Sequence, residues 1–372
     1  MRIRSITSFF DPSSPSVDQD LARLAILSEN LRATINDEVV PVLSTRLATD
    51  PFPYYLSGLS NSKQQSMVTA LGQKARELGW QYVSLGPALP DHPWSYAAIP
   101  RLLSIAGDIF CSAVIADEKC FYPAAVRASA SVIRKTATLT PDGFANLRFA
   151  ALANVAPGAP FLPAAYHKHA SPPAISIAVE CADAVLTAFD GATDIEASSA
   201  SLIRKLEDLA AEISSTFTNL AAGSNINLLG FDFSPAPFPE DWCSLGGAVE
   251  KLGLSHIGGS GSLAAVAVVA NALDKGTWPR VGFNGMMLPV LEDSVLARRA
   301  EQGLLTVKDL LLYSTVCGTG LDTISLAGAT TQEQLESILM DVAAISVRLA
   351  KPLTARLMPI PGKDPGDATG FD

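Results

Sequence analysis

Basic clusters are missing from this chain, histidine is scarce, and charge of either sign is thin. Charged residues make up 17% of it, only four are histidine, and the formal net charge is −10 with no run of Lys or Arg. Nucleic acids and anionic membranes are held through a basic footprint, so both are excluded as partners. A small anion is not excluded, because local arginines and helix N-termini can hold one on an acidic protein. Long apolar runs are missing too. The longest helical one, Leu263–Leu273, is too short to span a bilayer, and the opening MRIRSITSFF turns polar too soon for a signal peptide. The five cysteines (Cys111, Cys120, Cys181, Cys243, Cys317) are odd in number, scattered and without a C-x-x-C pair. That excludes a disulfide scaffold and a zinc ribbon and fits a reducing, cytoplasmic setting. Neither the Walker pattern nor G-x-G-x-x-G occurs, so no nucleotide fingerprint is present.

What is there is apolar mass. With 372 residues, 48% of them hydrophobic, and a mean hydropathy of +0.25, the chain can bury a large core. No repeat and no linker divides it, so a single domain over 1–372 is expected. Segments of strand and helix character alternate. Expected strands are Arg2–Phe10, Val39–Leu43, Tyr82–Leu85, Ile109–Ile115, Leu147–Ala153, Ala174–Val179 and Thr354–Ile360, with helices between the early ones. Such alternation specifies βα units and a mainly parallel sheet or α/β barrel. One segment, about 194–222, carries Leu202, Leu206, Leu209, Ile213 and Phe217 at helical spacing and is expected to be a helix covering the main body. Thr330 and Glu333 have the spacing of a capping box opening a helix Gln332–Leu349.

The centre of the chain carries most of the chemical suggestion. A strand ends on Asp232, a Pro-rich turn follows, and the loop Gly258-Gly259-Ser260-Gly261-Ser262 runs straight into an apolar helix. Unpaired N–H groups at such a helix start suit a phosphate or carboxylate, which makes Gly259, Ser260, Gly261 and Ser262 substrate-binding candidates; close packing explains the glycines equally well. Arg46, expected at the C-terminal end of Val39–Leu43, and Arg356 in the closing strand are candidate anion clamps, with a buried ion pair as the competing role for Arg356. Asn284, within Gly282–Gly285, joins them. Cys317, in Cys-Gly-Thr-Gly-Leu-Asp, stands out from the other cysteines because glycine N–H groups could favour its thiolate. Asp232, Asp322 and His167 complete the candidate catalytic set. His167 and His169 alone make no metal pattern; a divalent metal is compatible with the sequence but no motif specifies one. Glu292-Asp293 reads as dipole-favouring acids at a helix start.

The motifs IRSIT, TRLAT with the following PFP, GFDFSPAP, GSGSLAA, the NG-x5-ED region and VCGTGLDTI, in this order over nearly the whole chain, resemble the prokaryotic family catalogued as domain of unknown function 711. The resemblance implies the fold of pyruvate formate-lyase and ribonucleotide reductase, a ten-stranded α/β barrel with a loop threaded into its centre. It makes Cys317, with Gly320 and Asp322, the candidate for that inner loop. Nothing resembles the C-terminal site that hosts a glycyl radical: Gly362, Gly366 and Gly370 lie in a polar tail.

These readings converge on a non-radical enzyme of lyase, isomerase or hydrolase type. It would act on a small anionic metabolite by acid–base or cysteine chemistry, and a homo-oligomer is compatible with it. The alternatives are a non-catalytic metabolite-binding or scaffold protein and, further off, a radical enzyme. The first reading expects Arg46, Asp232 and Cys317 to line one cavity.

Overall fold

The computed structural model describes residues 1–237 and 240–370; positions 371–372, the end of the sequence-predicted tail, lie outside it. Nine strands form one sheet: β1 (Arg2–Phe10), β2 (Thr45–Thr49), β3 (Tyr82–Ala88), β4 (Ile109–Ala116), β5 (Phe149–Ala153), β6 (Ala174–Glu180), β7 (Asn227–Asp232), β8 (Gly320–Ala327) and β9 (Leu353–Ile360). Their order is β7-β6-β1-β2-β3-β4-β5-β9-β8. β1 to β5 are mutually parallel. The parallel pair β6–β7 joins β1 antiparallel, and the parallel pair β8–β9 joins β5 antiparallel. Among the described residues, the edge strands β7 and β8 are not hydrogen-bonded to each other. The observed sheet is therefore mixed, mostly parallel and open by its hydrogen bonds, where a ten-stranded barrel was expected.

Helices join consecutive strands of the parallel block, as crossovers between parallel strands require. The expected strand Val39–Leu43 does not form. The helix Val17–Glu38 runs up to it, and β2 begins only at Thr45. That shift moves Arg46 from the C-terminal end of a strand to the N-terminal end of one. Near the C-terminus, the Cys317–Asp322 segment expected as an inner loop is the end of the helix Val307–Cys317 and the start of β8. The capping box opening Gln332–Leu349 is one residue later than expected: Thr331 and Gln334 bond each other's backbone N–H, while the Thr330 hydroxyl donates back to the Ala327 carbonyl.

The helix Ile195–Leu220 covers the body as expected. Asp194 caps it, accepting from Glu196 N and Ala197 N, and it buries Leu202, Leu206, Leu209, Ile213 and Phe217. It packs on the helices Val17–Glu38, Ala182–Phe189 and Ser262–Asp274. A core of Ile, Leu, Val and Phe runs from Ile3 to Leu357 beneath the helices.

The other face of the sheet is built differently. Ser5, Thr7, Ala48, Ser84, Ala150 and Ser176 are small and buried there. The space they leave is filled by the connection from β5 to β6, whose residues 159–165 are all buried. A buried non-regular segment must pair its backbone polar groups, and the strand hydroxyls do so. Ser5 and Thr7 donate to the Pro160 carbonyl, Ser84 to Ala165 and Ser176 to Gly158. The loop against the small-residue face is thus the β5–β6 connection, not the Cys317 segment.

Candidate functional site

Strand starts, not strand ends, build the main cavity. Arg4 near the start of β1, Arg46 in β2, Tyr82 in β3, Phe110 in β4 and Arg148 just before β5 all lie at the N-terminal end of the parallel block. With Arg356 from β9 and Glu292 they line a cavity of about 590 Å³. Because β9 runs antiparallel to β5, the middle of β9 is brought level with this end.

Four guanidinium groups meet three carboxylates here. Arg356, almost wholly buried, donates through Nε to Asp322 Oδ1 at 2.5 Å and through Nη2 to Glu292 Oε1 at 3.4 Å. Arg4 bridges Glu180 (3.2 Å) and Glu292 (3.5 Å). Burial works against its charge, but Glu292, Glu180 and Asp322 outweigh that and hold the Arg4 guanidinium above its ordinary value. Arg148 is spent differently, donating through Nη1 to the carbonyls of Leu103, Ala106 and Ile109.

Arg46 is left over. Its Nε donates to Ser44 Oγ at 3.0 Å and its guanidinium lies 5.9 Å from the Tyr82 ring centre. Among the described residues it makes no ion pair. Burial and then the Arg4 charge push it down to about 9. A buried charge without a counter-charge is costly, so an anion in the cavity is the natural relief. Affinity for such an anion is expected to fall as pH rises through about 9, since the protonated guanidinium that attracts it is lost above that value. Titrations of a strong-acid anion at pH 7.5 and 10 test this; equal affinity at both would deny Arg46 the role.

The other candidates lie apart from this cavity, except Asp322, which stands directly behind Arg356. Asp232 and Asn284 form a bracing unit. Asp232 accepts from Ser234 N, Ser234 Oγ, Phe283 N and Asn284 N. The Asn284 amide donates to the Phe231 and Val281 carbonyls, and its oxygen accepts from Phe233 N and Trp278 Nε1. Gly282, at φ +71°, is required beside them: a Cβ would stand 2.2 Å from Asp232 Oδ2.

Cys317 is the last residue of the helix Val307–Cys317, 6% exposed, with Sγ 3.7 Å from Thr319 Oγ1. Burial pushes its thiol up, against the opposing pull of Thr319. A helix C-terminus also disfavours a thiolate. The expected single cavity for Arg46, Asp232 and Cys317 is not formed, because only Arg46 lines it. Cys317→Ser is accordingly expected to leave anion affinity unchanged in a calorimetric titration; a marked loss would return the cysteine to the site.

His167 is buried, its Nε2 3.0 Å from the Ser171 carbonyl and its N–H donating to Thr49 O. In the glycine loop, Gly258 N is already bonded to Ser262 Oγ and Tyr313 Oη, and a Cβ at Gly258 would meet Leu304 O at 1.9 Å. Packing therefore accounts for Gly258. Gly259, Ser260, Gly261 and Ser262 do not line the arginine cavity.

Sequence reasoning missed Arg4, Arg148, Glu180 and Glu292. Arg4 and Glu180 sit in strands where the polar–apolar alternation marks one face, but only strand order makes them neighbours. Glu292 was read with Asp293 as a dipole pair. Asp293 does cap the helix Ser294–Glu301 and also accepts from Ser244 and the N–H groups of Leu245 and Gly246, whereas Glu292 turns toward the arginines.

This fold and cavity define a mixed α/β protein with an arginine-rich pocket at its parallel strand starts. The chain matches the family described as Uncharacterised ACR (DUF711) over residues 1–372, and it belongs to that family. Among its relatives is a UPF0210 protein of Methanopyrus kandleri, 29% identical over 358 residues, covering 90% of this chain and 78% of the relative. Another, from Clostridium perfringens, is 26% identical over 352 residues, covering 89% and 77%. A UPF0210 protein of Pyrobaculum aerophilum is 36% identical over 256 residues, 65% of this chain and 55% of its own length. No described helix is long and apolar enough to cross a membrane.

Proposed function

We propose that this protein binds a small anionic metabolite, a carboxylate or phosphate compound, in the arginine cavity and transforms it by non-radical acid–base chemistry of lyase, isomerase or hydrolase type. One observation carries the reading: Arg46 faces a cavity of about 590 Å³, and among the described residues no carboxylate forms an ion pair with it. Arg4 and Arg356 are held in place by their carboxylates, so the cavity is ordered before a ligand arrives and little freedom is lost on binding. Glu292, which lines the same space, is the carboxylate best placed to exchange a proton with a bound substrate.

Calorimetric titration with inorganic phosphate and with small di- and tricarboxylates tests the reading. Arg46→Met should weaken the tightest of them about 10- to 100-fold, the value of a charge-assisted hydrogen bond. Unchanged binding in that variant would reject the site. Binding without turnover of any anion that binds would favour the alternative of a non-catalytic metabolite-binding protein. The radical alternative has no support in the tail, since Gly362, Gly366 and Gly370 are exposed. No glycyl signal is expected in electron paramagnetic resonance after exposure to an activating enzyme, and a signal mapped to one of these glycines would reverse that view.

A further inference from the structure

A second group of residues lies at the opposite end of the parallel block, just past the C-terminal ends of β1 and β2. Asp11 follows β1 and Asp50 follows β2, while His169 comes from the connection between β5 and β6. One potential ligand atom from each of the three lies within 4.8 Å of the others. Donors sharing a transition-metal ion at about 2.0–2.2 Å each stand at most about 4.4 Å apart, so small side-chain adjustments suffice to close on one.

An acidic cluster alone would mean little, but Asp50 adds an independent observation. It is 1% exposed; Oδ2 meets His169 Nδ1 at 2.5 Å, and Oδ1 is buried with no hydrogen-bond partner among the described residues. A buried carboxylate oxygen left unpaired is costly, and a cation would satisfy it.

The surroundings fit an accessible metal centre. Exposure rises from Asp50 through Asp11 to His169, so the group is open to solvent on its His169 side. His167, buried and tied to Thr49 and Ser171, fixes the loop that delivers His169. The Tyr54 ring packs on His169 with centroids 4.8 Å apart and orients the imidazole. The C-terminal ends of parallel strands are where α/β folds commonly place function.

We propose that Asp11, Asp50 and His169 form a binding site for a divalent first-row transition metal such as Mn²⁺ or Zn²⁺. One imidazole with two carboxylates suits those ions, whereas Ca²⁺ and Mg²⁺ prefer all-oxygen shells. The site is separate from the arginine cavity, and neither depends on the other.

The test is to strip the full-length protein with a chelator, dialyse it, and titrate Mn²⁺ while following the free-ion signal by electron paramagnetic resonance, with Zn²⁺ calorimetry in parallel. One ion per chain is expected to bind the wild type. His169→Ala should weaken it at least about 10-fold, and Asp50→Asn about 100-fold or more. Arg46→Met should bind the metal as the wild type does, which separates failure of this site from failure of the anion site. Absence of stoichiometric binding in the wild type, or unchanged binding in both His169→Ala and Asp50→Asn, would overturn the proposal.

Discussion

Asp322→Ala is expected to lower the unfolding free energy by about 3 kcal/mol or more, the usual result of removing one partner of a buried ion pair. Both side chains are 4% exposed, and the Nε–Oδ1 distance is 2.5 Å. With Asp322 gone, Arg356 keeps only a 3.4 Å contact to Glu292 and a weak one to the Leu147 carbonyl. The guanidinium also lies over the Phe161 ring at 5.0 Å, a contact that does not replace the lost carboxylate. Replacing the pair together, Asp322→Leu with Arg356→Met, should recover much of the loss, because neither charge is then left buried. Denaturant unfolding of the three variants measures both effects. An Asp322→Ala protein as stable as the wild type would mean that the pair is not closed in solution. The paired variant carries functional information as well: if Arg356 only shapes the cavity, anion affinity should fall less than in Arg46→Met.

Asp232→Ala is expected to be comparably damaging, for a different reason. No cation is involved; the carboxylate collects three backbone N–H groups and one hydroxyl from the turn after β7 and the segment 282–285. Deleting it leaves buried donors unpaired, at about 1–3 kcal/mol for each that finds no water. Asp232→Asn should cost clearly less. Its oxygen can keep the donors on Oδ1, only the Phe283 N–H meets an amide, and the burial penalty that raises the wild-type carboxyl disappears. Equal losses in Ala and Asn, measured by the same unfolding experiment, would show that charge rather than hydrogen bonding matters here.

Both residues had been singled out from sequence for chemistry, and both are explained first by packing. An aspartate at the end of an apolar strand looks alike whether it will meet a substrate or a turn of its own chain. Asp232 meets the segment 282–285, about fifty positions away, and no local pattern specifies that. Cys317 was lifted out by its glycines, but Gly318 at φ 76° is the helix C-cap and Gly320 is pressed against Thr354. Those glycines serve backbone geometry, not the sulfur.

Local pattern alone determined a good deal. Apolar periodicity specified the strand Arg2–Phe10, a strand over Ile109–Ile115 that the structure extends by one residue, and the long covering helix, because a two- or 3.6-residue repeat acts over a few neighbours. The sheet order was beyond it, since joining β6 to β1 and β9 to β5 pairs segments separated by well over a hundred residues. The small residues of β1, β3 and β6 have meaning only once the β5–β6 connection lies on them. The arginine cavity and the Asp11–Asp50–His169 group exist for the same reason: each assembles one or two residues from several strands at one level of the sheet, and only strand order and register decide which charges become neighbours.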